Sequence, residues 1–175
     1  MRRSALIFTL LLGMALAVFA PRASCDDLPE YRLKAAFLYN FALFTDWSAG
    51  VGPTLNLCVY GHDPFGSEID GLEGKAVGER HIAVHRLTDI EALRDCQFVF
   101  ITDSAIGSLP RVLAGLRGAS VLTVADSPGA VDQGVVLNMN VVNNRVTFEA
   151  NLAAAHDAKI NLSSKLLRLA TRVRQ

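Results

Sequence analysis

The chain has 175 residues, with 17 basic against 17 acidic side chains and 51% apolar residues. That is the size of one ordinary domain with a real core, and no segment has the polar composition of a disordered region. Without Arg2, Arg3 and Arg22 the net charge is about −3, which argues against nucleic acid or anionic lipid as the main partner.

Arg2 and Arg3 form a basic start, and Ala5 to Ala20 follow as an uncharged apolar stretch. The stretch is short for a membrane span and has the layout of a secretory signal peptide. Residues 1–23 are therefore expected to be cleaved on export to the periplasm, leaving a single domain over residues 29–175. Cleavage after Ala20 competes with cleavage after Ala23, because Pro21 is a poor context for the first. Two alternatives stay open: an uncleaved anchor, and a lipid anchor on Cys25. Arg22 stands where a lipoprotein signal needs an aliphatic residue, so a soluble exported protein is the preferred reading.

Pro29 to Trp47 reads as a helix, with Leu33, Ala36, Phe37, Asn40, Phe41 and Phe44 recurring along one face. Gly50, Gly52 and Pro53 end it. Leu55 to Tyr60 is a short apolar strand leading into the turn-rich loop Gly61 to Gly66 and a short helix near Ser67 to Leu72. His81 to Leu87 is a second strand, followed by a short helix capped by Thr88. Gln97 to Thr102 is almost wholly apolar, as a strand buried on both faces should be. A helix over Ser104 to Gly118 and a fourth strand over Ser120 to Ala125 follow. Alternating strands and helices imply an α/β domain with a mainly parallel, flavodoxin- or Rossmann-like sheet between helical layers.

The grammar then changes. Val135 to Val142 and Arg145 to Asn151 flank Asn143-Asn144, a pair suited to a two-residue hairpin turn. That turn pairs Val142 with Arg145, Val141 with Val146, Met139 with Phe148 and Leu137 with Ala150. The last three pairs put apolar side chains on one face, and a one-residue slip would scramble both faces. A short helix from Leu152 and a final one from Ser163 to Val173 close the chain. Leu166, Leu169, Ala170 and Val173 form the expected buried stripe of that last helix, with its arginines complementing the helix dipole.

Of the three cysteines, two are expected to pair in an exported protein. Cys58 and Cys96 fall on neighbouring strands if the strand order is 2-1-3-4-5, which makes a bridge between them plausible. Two buried free thiols are the alternative. No P-loop, dinucleotide glycine fingerprint, nucleophile elbow or C-x-x-C motif occurs, so no catalytic residue, cofactor or metal is assigned, and the chain is read as a binding protein rather than an enzyme. His81 and His85 are four apart on a strand and read as surface residues. His62, Asp63, Asp103 and Ser104 lie just past the first and third strands, where α/β domains bind ligands, so together they could line a small-ligand crevice. The blander reading makes Asp63 a loop-shaping residue and Asp103 or Ser104 a helix cap. Arg145, Thr147, Glu149 and Asn151 near a sheet edge, with Arg168 and Arg172 on the last helix, are the candidate partner-binding residues.

Six segments, taken in order, resemble the YfiR family of small exported proteins, also called HmsC-like. They are LKAAFLYNFALFTDW over residues 33–47, LCVYGHDPFG over 57–66, DCQFVFI over 95–101, LTVAD over 122–126, RVTFEAN over 145–151 and LSSKLLRLA over 162–170. The resemblance implies a periplasmic regulator that binds the periplasmic sensor region of an inner-membrane diguanylate cyclase and holds it inactive. Cyclic-di-GMP output and biofilm formation would fall accordingly. It also implies sequestration by an outer-membrane lipoprotein, a tendency to form homodimers, and cysteine pairing that Cys58 and Cys96 fit. A further cysteine pair of some members is missing here, which removes redox sensing through it. A small-ligand sensor acting on another membrane signalling protein is the alternative function, and an exported hydrolase has only scattered Asp, His and Ser in its favour.

Overall fold

The computed structural model describes residues 27–47 and 51–175. The expected signal peptide and cleavage site, Cys25 and the Gly50 helix stop lie outside them. Helix α1 (Asp27–Leu43) is built from good helix formers, with Pro29 tolerated in its first turn. It ends earlier than Trp47: the Thr45 hydroxyl donates to the Phe41 carbonyl at 2.7 Å, and the chain turns into a short strand, β1 (Thr45–Trp47).

The strands that follow are β2 (Thr54–Tyr60), β3 (Ala76–Val77), β4 (Arg80–Leu87), β5 (Phe98–Ile101), β6 (Leu122–Ala125), β7 (Leu137–Val142) and β8 (Arg145–Asn151). The last two are β9 (Ile160–Leu162) and β10 (Arg172–Arg174). The connecting helices are α2 (Ser67–Asp70), α3 (Leu109–Gly115), α4 (Leu152–Asp157) and α5 (Ser164–Leu167). The main sheet has eight strands in the order β10-β8-β7-β6-β5-β2-β4-β3. Its centre, β4-β2-β5-β6-β7, is wholly parallel and has the flavodoxin order 2-1-3-4-5. β1 and β9 form a separate antiparallel pair that ties the end of α1 to the C-terminal third of the chain.

Two cores lie on opposite sheet faces, which makes the domain three-layered. On one face Leu57, Val59, Phe98, Phe100 and Leu122 meet Leu38 and Phe41 of α1 and Ile69 of α2. On the other, Val99, Ile101 and Ala125 meet Leu93, Leu109 and Val112. Alternate residues of β2, β5 and β6 therefore serve different cores, which is why these strands read as unbroken apolar runs. Cys58 and Cys96 are bridged beneath the second face, with their Cα atoms 6.1 Å apart. The bridge forms because β2 and β5 are neighbours, and both cysteines are buried.

The hairpin has the expected register throughout, from Leu137 opposite Ala150 to Val142 opposite Arg145. Asn143 and Asn144 take φ of 50° and 58°, as a two-residue turn of that hand requires.

Three expectations are corrected. The buried face of α1 is Ala35, Leu38, Phe41 and Ala42, while Leu33, Ala36 and Asn40 are exposed. α1 is apolar nearly all round, so periodicity alone could not choose the face. Residues 104–118 start as a 3-10 turn, Asp103–Ser108, before α3 begins at Leu109, and no side chain caps either. The last helix is only α5: the Leu169 side of the proposed stripe is 70% exposed, and Val173 belongs to β10, which pairs parallel with β8. β8 offers its outer edge to any following strand, and the hydrogen bond of the Thr171 N–H to the Phe148 carbonyl, 2.8 Å, starts that pairing.

Candidate functional site

At the carboxyl edge of the sheet, His62, Asp63, Asp103 and Ser104 lie at the ends of β2 and β5, where the side chains of Asp63, Asp103 and Ser104 hydrogen-bond within the fold. The His62 N–H donates to the Ser104 hydroxyl at 2.9 Å, and that hydroxyl meets Thr102 Oγ1 at 2.8 Å. Asp63 Oδ1 accepts from the Phe65 N–H at 2.7 Å, which shapes the loop, and Asp63 Oδ2 takes Arg86 Nε at 2.7 Å. Asp103 Oδ1 accepts from the Ser127 hydroxyl at 2.9 Å. At the crossover point between β2 and β5 the two strand ends approach closely. A Cβ on Gly61 (φ 107°) would lie 2.2 Å from Thr102 Oγ1 and 2.9 Å from Ala105 Cβ. Only glycine lets the two strand ends approach this closely.

The closing segment divides into three parts. Arg145 and Arg168 are exposed and make no side-chain ion pair or hydrogen bond among the described residues, and Thr147 is half-buried on the hairpin strand that starts at Arg145. Glu149 and Arg172 are joined: Arg172 Nε donates to Glu149 Oε1 at 2.7 Å, and its two terminal nitrogens donate to both oxygens of Asp132 at 3.0 and 2.8 Å. Arg174 adds a hydrogen bond to the Asp132 carbonyl at 2.8 Å. The Arg172 fork holds the Asp132 carboxyl below the usual carboxylate range, and the same bonds raise the Arg172 guanidinium. Asn151 is the third part and corrects an expectation: it is buried. Its Oδ1 caps α4 through the Ala154 N–H at 2.9 Å, and its Nδ2 donates to the Val131 carbonyl at 2.9 Å.

Two features were not singled out from the sequence. Lys34 sits on the buried side of α1 with its side chain 5% exposed, 2.7 Å from Asp126, which is 4% exposed at the end of β6. Glu30, one turn earlier, also binds it. Burial pushes the Lys34 ammonium down, but its hydrogen bonds to Asp126 and Glu30 outweigh that and hold it above its ordinary value. The i,i+4 spacing of Glu30 and Lys34 was the available signal. The second feature is a groove of about 400 Å³ at the opposite edge, floored by Leu116, Val121 and Val136 and rimmed by Arg117, Asp132 and Arg174. Its walls come from six elements spread over residues 113–175, so no local pattern announced it. Among the described residues no cluster of His, Cys, Asp or Glu is arranged to hold a metal.

Comparison with known families gives one match that spans the domain: the YfiR/HmsC-like family model covers residues 31–171. The chain belongs to the YfiR/HmsC-like family. Members of that family are periplasmic regulators in cyclic-di-GMP signalling. Among the described residues no helix is long and apolar enough to cross a membrane. No curated protein matches. Among solved structures, the ABC domain in complex with L-Trp from Streptococcus pneumonia is similar, with 9% identity and a TM-score of 0.51, over 68% of this chain and 55% of that one. A conserved domain protein from Vibrio cholerae is similar with 6% identity and a TM-score of 0.55, over 82% of this chain and 60% of that one. This YfiR/HmsC-like chain thus spans 55% and 60% of the length of those two structures, and at such identities the likeness is one of fold alone.

Proposed function

We propose that this protein is exported by a cleaved signal peptide and binds the periplasmic sensor region of an inner-membrane diguanylate cyclase. Bound, it holds the cyclase inactive, lowers cyclic-di-GMP and restrains biofilm formation. It has no catalytic role of its own. Membership of the YfiR/HmsC-like family across nearly the whole mature chain is the observation that carries this reading. An outer-membrane lipoprotein that sequesters the repressor, and a homodimer of the repressor itself, belong to the same proposal.

Contact with the sensor falls to Arg145, Thr147 and Arg168. Both arginines are exposed and unpaired among the described residues, whereas Arg172 and Glu149 are committed to holding β10 and Asn151 is buried. An unpaired arginine can make a charge-assisted, bidentate bond to a partner carboxylate without first breaking one of its own. Replacing Arg145 and Arg168 with Glu should weaken the complex at least tenfold, about 1.4 kcal/mol, while leaving the fold intact. Co-purification of the tagged protein with detergent-solubilised membranes tests both claims. Recovery of a cyclase by the native chain and its loss in the double variant are expected. Equal recovery by both would move the contact elsewhere, and recovery of no cyclase would remove the reading.

A further inference from the structure

α1 leaves an apolar side of itself uncovered. Ala35, Leu38, Phe41 and Ala42 face the core, while Leu33, Ala36, Asn40 and Leu43 are exposed on the opposite side. Leu33 and Leu43 are each 42% exposed, and Phe37 and Phe44 flank them half-buried. These positions recur three and four apart, so they form one stripe along the back of the helix. A helix that is apolar all round is ordinarily covered all round, by protein or by lipid. The stripe continues onto α5. The Ser163 N–H donates to the Phe44 carbonyl at 2.9 Å, which seats α5 beside the end of α1. Leu167 and Ala170 are half-buried against the same core, and Leu169 stands out from it, 70% exposed.

The charges around the stripe indicate its cover. No acidic residue occurs from Tyr31 to Thr45. Arg32 on α1, Lys165 on α5 and Arg168 just past it are exposed, and none makes a side-chain ion pair among the described residues. Glu30 is bound to Lys34, which leaves Asp46 as the exposed acid at the far end of the stripe. α1 is the outer layer on this side of the sheet, so its back is convex. A convex apolar helix with cationic side chains at its margins suits the surface of an anionic bilayer. Leucine and phenylalanine enter the acyl boundary, while arginine and lysine reach the phosphates. The net charge of about −3 opposes such contact for the molecule as a whole, so the attraction is local to this face and weak. Chain order brings the same face to a bilayer. The apolar stretch Ala5 to Ala20 ends seven residues before α1 starts at Asp27, at most about 25 Å of extended chain.

We infer that the back of α1, together with Leu169, is a lipid-docking surface that lays the domain on an anionic phospholipid bilayer with the helix axis in the membrane plane. This goes beyond the proposed repression of a cyclase and does not depend on it. Docking of this kind confines the regulator to the plane in which a membrane sensor is found.

The test is co-sedimentation of the exported chain, in a Cys25→Ser background, with protein-free vesicles of phosphatidylethanolamine and phosphatidylglycerol. Saturable binding is expected, weaker at high salt and on phosphatidylcholine alone. Leu33→Glu combined with Leu43→Glu should weaken it at least tenfold, because apolar contact is lost and like charge added. Both sites are exposed, so the melting temperature should change little. Arg32→Gln combined with Lys165→Gln should weaken binding severalfold and flatten its salt dependence. Leu43→Trp should give an emission that shifts to the blue when vesicles are added. Absence of binding at every lipid concentration overturns the inference, as does an unshifted Leu43→Trp emission or full binding by the double-Glu variant. A double-Glu variant that binds vesicles normally but changes oligomeric state would assign the stripe to a second copy. One that binds vesicles normally but loses cyclase capture would assign it to the membrane protein. Because the vesicles hold no protein, failure here leaves the cyclase reading to its own co-purification test.

Discussion

Lys34 and Asp126 show how much one residue pair can hold in this fold. Both side chains are buried, they meet at 2.7 Å, and they fasten the first half of α1 to the end of β6. Asp126 Oδ1 has no hydrogen-bond partner among the described residues, so Lys34 is the main compensation for a buried carboxylate. Lys34→Ala should therefore cost about 3–5 kcal/mol, because it strands that carboxylate. The double variant Lys34→Met with Asp126→Leu should be much milder, since it removes both charges and keeps the volume. Denaturant unfolding of the single and double variants measures the difference, and a single variant no worse than the double would contradict the assigned role. The pair also gives an alkaline dependence. The folded-state pKa of Lys34 is raised, so its contribution is complete below the ordinary lysine value of about 10.4 and is lost as pH rises through the higher folded value.

At the scale of elements, β10 and the disulfide are the two attachments with a chemical handle. β10 is held by Arg172 between Glu149 and Asp132. Because the Asp132 pKa is depressed in the folded state, this contribution is present above the ordinary carboxylate range, near pH 4, and fades as pH falls through the lower folded value. Amide exchange in β10 should accelerate below that pH, and Arg172→Ala should reproduce the effect at neutral pH without unfolding the sheet. The Cys58–Cys96 bridge should resist reductant in the native state, because both cysteines are buried, and its loss should cost ~3–4 kcal/mol on unfolding with reductant present. The hairpin was fully legible in the sequence, since its register follows from a two-residue turn and a period of two. The final strand was not. Leu166, Leu169, Ala170 and Val173 carry a helical spacing, but nothing local records that β8 leaves an edge for residues 172–174 to pair with. The α1 face was illegible for the opposite reason: an excess of apolar positions, with the buried lysine disguised among them.

For the whole molecule, the strand order could be anticipated from the βα alternation, and it placed Cys58 beside the strand that Cys96 precedes. The same order directed attention to the crossover crevice at His62, Asp63, Asp103 and Ser104. There Gly61 packs closely on Thr102 and Ala105, an effect of side-chain volume that topology does not encode. The function proposed here rests on surface: two arginines unpaired among the described residues, and membership of the YfiR/HmsC-like family. The most direct test of that account is intracellular cyclic-di-GMP in a strain lacking the gene, complemented either with the exported chain or with a leaderless form confined to the cytoplasm. The account predicts a raised level in the deletion, restored by the exported chain alone. An unchanged level in the deletion, or restoration by the leaderless form, would contradict it.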